Sequence, residues 1–142
     1  MRCLIVVFLP LVVANAIAQQ QSIKGQLYRT PDQAASSAFK SNVTYKDKPV
    51  EVIVFEQVGQ DEVLYTNGHI QKIGGHEVAR AFCKWDGSFK IKVRPGKYSV
   101  FAYIDGSYYG NLMDADGNLS PVTVVRKRDA WITITMNIKR QD

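Results

Sequence analysis

An antiparallel β-sandwich is the fold this sequence predicts, and three observations carry it. Apolar residues recur with a period of two in several short runs. Those runs are rich in β-branched and aromatic residues, which suit a pleated, half-buried surface. Turn dipeptides sit between many of them: Asn67-Gly68, Gly74-Gly75, Asp86-Gly87, Pro95-Gly96, Asp105-Gly106 and Asp116-Gly117.

The elements follow in chain order. Residues 1–18 stand apart. Arg2 precedes a mostly apolar run that ends in Ala16-Ile17-Ala18, a small-x-small cleavage signature. The run is short for a bilayer span, and Cys3 lies too early to be a lipidation cysteine. A secretory signal peptide is expected over 1–18, with a single β-sandwich domain over 19–142 and no membrane span in the mature chain. Of 142 residues, removing the first 18 leaves 124, enough to bury a core without disulfides.

"SIKGQLY" (22–28) reads as the first strand. The Ala- and Ser-rich stretch Thr30 to Asn42 breaks the alternation and reads as a short helix or ordered loop, which Thr30 or Asp32 would cap. "VEVIVFEQ" (50–57) is a more continuous apolar run and so a more buried strand. "EVLYT" and "VARAFCKW" are shorter strands. In "SFKIKVR", Phe89, Ile91 and Val93 alternate with Lys90, Lys92 and Arg94. In "KYSVFAYI", Tyr98, Val100, Ala102 and Ile104 share a face. "VTVVRK" (122–127) precedes "AWITITMNIK", where Ile132, Ile134, Met136 and Ile138 alternate with polar residues. Seven to eight strands result.

Three of these pieces resemble the carboxypeptidase regulatory-like domains: "IKGQLY", "YKDKPVEVIVF" and, best matched, "WDGSFKIKVRPGKYSVFAY". The resemblance spans about Ile23 to Ile138. It implies an immunoglobulin-like or prealbumin-like sandwich and a non-catalytic accessory module. Two departures accompany it. The stretch Gly59 to Gly75 is longer than the family's usual connection, and no catalytic or receptor domain is expected to follow Asp142. Independently of any family, Asp86-Gly87 suits a tight hairpin and Phe89 a core plug. Pro95-Gly96 suits a turn, and Tyr98 can pack across the sandwich.

The loops hold the candidate chemistry. Asp114, Asp116, Asn118 and Ser120 place oxygen at every second position, and Asp105 adds a nearby carboxylate. Calcium takes six to eight such oxygens, but counted from Asp114 the glycine and glutamate of an EF-hand are out of place. Asp-Gly turn chemistry is the competing and preferred reading. His69, His76 and Cys83 are single residues seven apart, a poor zinc pattern, so loop histidines and a buried cysteine are expected. The chain has no Gly-x-Ser-x-Gly elbow and no supported acid–base pair. It is therefore not expected to be an enzyme or to need a cofactor.

Tyr108 and Tyr109 lie in the long segment Asp105 to Ser120; either they anchor a ligand or partner, since exposed loop aromatics stack or dock, or one folds back to cover the core edge. Removing Arg2 lowers the net charge from +5 to +4. That charge is compatible with an anionic envelope surface, but it is spread too evenly to predict nucleic-acid binding. Lys90, Lys92 and Arg94, and the turn Arg126 to Arg128, read as solvated charges that discourage edge pairing. Asn42-Val43-Thr44 is a glycosylation sequon in a eukaryotic secretory pathway; the short signal and few cysteines favour a bacterial envelope. The expected function is a secreted or periplasmic module that binds an envelope protein or glycan. A structural subunit of a cell-surface assembly, paired through edge strands, is the alternative.

Overall fold

A computed structural model describes residues 20–29 and 49–137. The expected signal peptide, the helix or loop from Thr30, the sequon at Asn42 and the end of the last strand at Ile138 lie outside the described residues.

The described chain is nearly all-β, with one 3-10 turn at Gln60–Glu62, and its strands form two sheets. They are β1 (Gln21–Arg29), β2 (Glu51–Glu56), β3 (Val63–Thr66), β4 (His69–Ile73), β5 (Glu77–Phe82), β6 (Ser88–Val93), β7 (Gly96–Ile104), β8 (Ser107–Gly110), β9 (Pro121–Val124) and β10 (Ala130–Met136). A three-stranded sheet runs β10-β1-β6, and a seven-stranded sheet runs β3-β4-β8-β7-β2-β5, with β9 also paired to β7. The sandwich is as expected, with two corrections. Among the described residues ten strands are present where seven to eight are expected, because β4 and β8 lie hidden behind turns. One pairing is parallel, β1 with β10, from Ile23↔Ala130 to Arg29↔Met136.

Both hidden strands complete two-residue hairpins. Asn67 and Gly68 have φ of 53° and 79°, and Asp105 and Gly106 have 51° and 78°. Two successive positive φ values make the turn whose twist suits a hairpin. It fixes the registers Thr66↔His69 and Ile104↔Ser107.

The main core lies between the sheets. Ile23, Leu27, Phe89, Ile91, Ile132 and Ile134 of the smaller sheet meet Val52, Val54, Val100, Ala102, Val122 and Val124 of the larger. The segment from Asp86 to Tyr98 behaves as its residues suggest. Asp86 accepts hydrogen bonds from the Ser88 backbone N–H and hydroxyl. Phe89 is buried, and the Tyr98 hydroxyl donates to the Arg94 carbonyl at 2.6 Å. Cys83 follows β5, packs half-buried against the core and donates its backbone N–H to Val50. Burial raises its thiol pKa, which lowers the share of reactive thiolate.

A second apolar cluster covers the outer face of the larger sheet. Ile53, Phe55, Val58, Ile73, Phe101 and Leu119 are buried there, with Val63, Ile70, Tyr103 and Tyr108 packed against them. The residues of β2 explain it: Val52 and Val54 point into the sandwich, so Ile53 and Phe55 must point out. The β3–β4 hairpin supplies Val63, Ile70 and Ile73 as cover.

Candidate functional site

The strand registers assemble one row of side chains across six strands. Tyr65 pairs with Ile70, Ile70 with Tyr108, Tyr108 with Tyr103, Tyr103 with Glu51, and Glu51 with Phe82. Directly paired residues share a face. This row therefore runs over the outer face of the larger sheet, with Tyr65 and Phe82 exposed at its ends.

Its centre is aromatic. Tyr103 and Tyr108 have ring centroids 4.6 Å apart. Tyr108 also meets Phe55 and Phe101 edge-on, at 6.1 and 6.3 Å, within the range where aromatic pairs attract beyond simple burial. Tyr108 thus stands on a buried aromatic floor that fixes its ring.

Polar groups flank the aromatics. Arg80 of β5 donates to Glu51 across the sheet at 3.0 Å, and its guanidinium also pairs with Glu77. The hydrogen bond to Glu77 is the leading cause of a raised Arg80 pKa. The Tyr108 hydroxyl pKa is raised, by burial first and then by Tyr103; Arg80 acts in the opposite direction, and Glu77 and Glu51 reinforce the rise. These groups are therefore near enough to sense one another. One guanidinium against two carboxylates leaves this patch without excess positive charge.

Beside the row, a cleft of about 300 Å³ opens where β4, β8 and β10 approach; Tyr65, His69, Tyr108, Tyr109, Asn111 and Asn137 are among its lining residues. Sequence reasoning placed Tyr108 and Tyr109 together in a loop. They are instead consecutive residues of β8 and face opposite ways. Tyr108 joins the outer cluster, while Tyr109 packs on the inter-sheet core and stands edge-on to His69 at 5.9 Å. His69 is accordingly a half-buried strand residue, unlike the exposed loop residue expected; His76 is exposed between β4 and β5. Arg80, Glu51, Glu77, Tyr103 and Phe82 were not singled out. Only the sheet registers bring them together.

The oxygen-rich segment adopts the turn. Asp114 accepts from the backbone N–H groups of Asp116 and Asn118 and from the Asn118 side chain, at 2.9–3.0 Å. Gly117 has φ of 84°. Ser120 does not join this set. It is fully buried, where its hydroxyl donates to the Val100 carbonyl and accepts from the Asn111 N–H. Among the described residues, no three His, Cys, Asp or Glu side chains are placed to share a metal ion. With Ser120 removed and Asp114 already accepting three N–H groups, calcium is expected to leave the melting temperature unchanged. A calcium-dependent rise that Asp114→Ala abolishes would instead place an ion in the loop.

The same variant tests the turn. The hydrogen bonds from Asn118 hold the Asp114 carboxyl below the usual range. Its stabilisation is present above the unfolded carboxyl pKa and disappears as pH falls through the folded value. Asp114→Ala should therefore melt earlier than wild type at neutral pH. The two should converge in acid, once the wild-type carboxyl is protonated.

No protein-family model and no curated protein matches the chain. Among solved structures, one from Pseudomonas aeruginosa named a "putative carbohydrate binding protein" is similar. It is 14% identical, covers 85% of this chain and 93% of its own, and has a TM-score of 0.45. So distant a likeness decides nothing about the ligand.

Proposed function

We propose that this chain is a secreted or periplasmic, non-catalytic module that binds an envelope glycan on the outer face of its larger sheet. The carrying observation is the transverse row Tyr65–Ile70–Tyr108–Tyr103–Glu51–Phe82 beside the Arg80–Glu77 pair. A sugar ring has an apolar C–H face and a rim of hydroxyls. Tyrosine faces suit the first, because the ring quadrupole attracts polarised C–H groups. Pre-oriented carboxylates and a guanidinium suit the second, as acceptors and donors. The adjoining cleft adds Asn111 and Asn137, whose amides both donate and accept. With one cation and two anions, the patch suits a neutral glycan better than an acidic one. The likeness of residues 85–103 to carboxypeptidase regulatory-like modules supports the accessory, non-catalytic role.

The test is calorimetry against a panel of neutral envelope and plant polysaccharides. Tyr108→Ala should weaken binding by at least about tenfold, the usual scale for a central aromatic anchor. Tyr109→Ala, on the opposite face, should weaken it less. Equal affinity of wild type and Tyr108→Ala would remove the row from the site.

A protein assembly is the second reading, and one feature favours it. Edge strand β5 exposes Val78 and Phe82, and Trp85 follows close behind. Concentration-dependent oligomers lost on Phe82→Lys would support that reading.

A further inference from the structure

The opposite side of the sandwich carries a different surface. On the outer face of the three-stranded sheet, Lys24 of β1 lies between Trp131 of β10 and Lys90 of β6. In the next rows, Ser22 pairs with Lys92, and Gln26 lies between Thr133 and Ser88. Trp131 is 65% exposed, and Lys90 and Lys92 are exposed beside it. Exposed Arg126, Lys127 and Arg128 form the turn that leads into β10 at the Lys92 end of the sheet.

Few anions answer these cations. Asp129 pairs with Lys24 at 3.0 Å and accepts the Ser22 N–H. Asp86 lies at the other end, bonded to Ser88. Asp129 also senses Lys90, while Lys90, Lys92 and the basic turn are exposed to solvent. Sequence reasoning treated these as ordinary solvated residues. The registers change that reading, because they set the lysines on one face with an exposed indole, with Gln26 and Thr133 in the adjoining row.

We propose that this face binds an anionic polysaccharide, with Lys90 and Lys92 meeting its acidic groups and Trp131 stacking on a sugar ring. Charge complementarity selects the class of ligand. The half-buried Thr133 hydroxyl in the adjoining row suits a polymer that offers hydroxyls beside its charges. A single-stranded nucleic acid would want successive stacking aromatics, and Trp131 is the exposed one here. A membrane surface is entered by an apolar face that reaches into the headgroup boundary, whereas Trp131 stands among polar neighbours, Lys24 and Thr133. The proposal goes beyond the neutral-glycan site and is independent of it. Together the two faces would let one domain bridge two polymers.

The test is retention of the full mature chain on immobilised polygalacturonate, with dextran, phosphatidylglycerol vesicles and single-stranded DNA as the other probes. Polygalacturonate should bind and dextran should not compete at this face, and affinity should fall as salt screens the charges. Lys90→Glu with Lys92→Glu should cost at least about tenfold, since each change replaces attraction by repulsion. Trp131→Ala should weaken binding at every salt concentration. Tyr108→Ala should leave polygalacturonate binding unchanged, which separates this site from the neutral-glycan row. Salt-independent binding, no loss in the double lysine variant, or tighter binding to vesicles or DNA than to polygalacturonate would overturn the proposal. Unaltered melting curves of the variants confirm that any loss belongs to the surface.

Discussion

Gly25→Ala is expected to destabilise the domain by about 3 kcal/mol, at the upper end of the overpacking range. Gly25 sits in the middle of β1, flanked by Phe89 on β6 and Ile132 on β10. A Cβ there would stand 2.2 Å from the Ile132 carbonyl oxygen and 2.3 Å from the end of the Phe89 ring. Neither neighbour yields easily. The carbonyl belongs to the backbone of the paired strand, and Phe89 is a buried core residue. In an unstrained strand the same change would raise stability by about 0.4–1 kcal/mol through the unfolded chain, so the sign alone is informative. Against a typical total of about 5–15 kcal/mol, a loss of this size should be plain in urea melts. Adding Phe89→Leu should recover only part of it, because the Ile132 contact remains. Wild-type stability in Gly25→Ala would mean that β1 does not pass this close to β6 and β10.

The sandwich was legible because its strands alternate. "SFKIKVR" and "AWITITM" need only a period of two to declare which face is buried, and Ile91, Val93, Ile132 and Ile134 are buried as that period requires. The strands β4 and β8 escaped because they do not alternate. All four residues of β8 are half-buried, and β4 buries only Ile73 fully. Their signal lay in the turns. Asn67-Gly68 and Asp105-Gly106 are the dipeptides that favour a two-residue hairpin, so a strand of matching length should follow each. The β1–β10 pairing could not be read, since Ile23 and Ala130 meet across almost the whole described chain. The candidate sites fail for the same reason. Arg80 meets Glu51, and Lys24 meets Lys90 and Trp131, only through register. Register depends on long-range pairing rather than on local pattern. Tyr108 was found as an aromatic. That it faces away from Tyr109 followed only once β8 was recognised as a strand.

Phe101→Ala should combine a large loss of stability with a loss of glycan binding. Phe101 is 1% exposed and lies edge-on to Phe55 at 6.0 Å and to Tyr108 at 6.3 Å. Truncating a buried phenylalanine costs about 3–5 kcal/mol, through lost transfer and the cavity left behind. The vacancy would open directly beneath Tyr108, whose ring orientation the aromatic floor sets. Phe101→Leu keeps most of the volume and should cost much less stability, yet it lacks the flat edge contact. Binding is then the discriminating measurement, made at a temperature where both variants remain folded. If neutral-glycan affinity falls in both while the melting temperature falls mainly in the alanine variant, Phe101 acts on the ligand by positioning Tyr108. If Phe101→Leu binds as wild type does, the floor serves stability alone. If the folded alanine variant also keeps full affinity, Tyr108 does not hold the sugar and the row is a packing feature of the sheet.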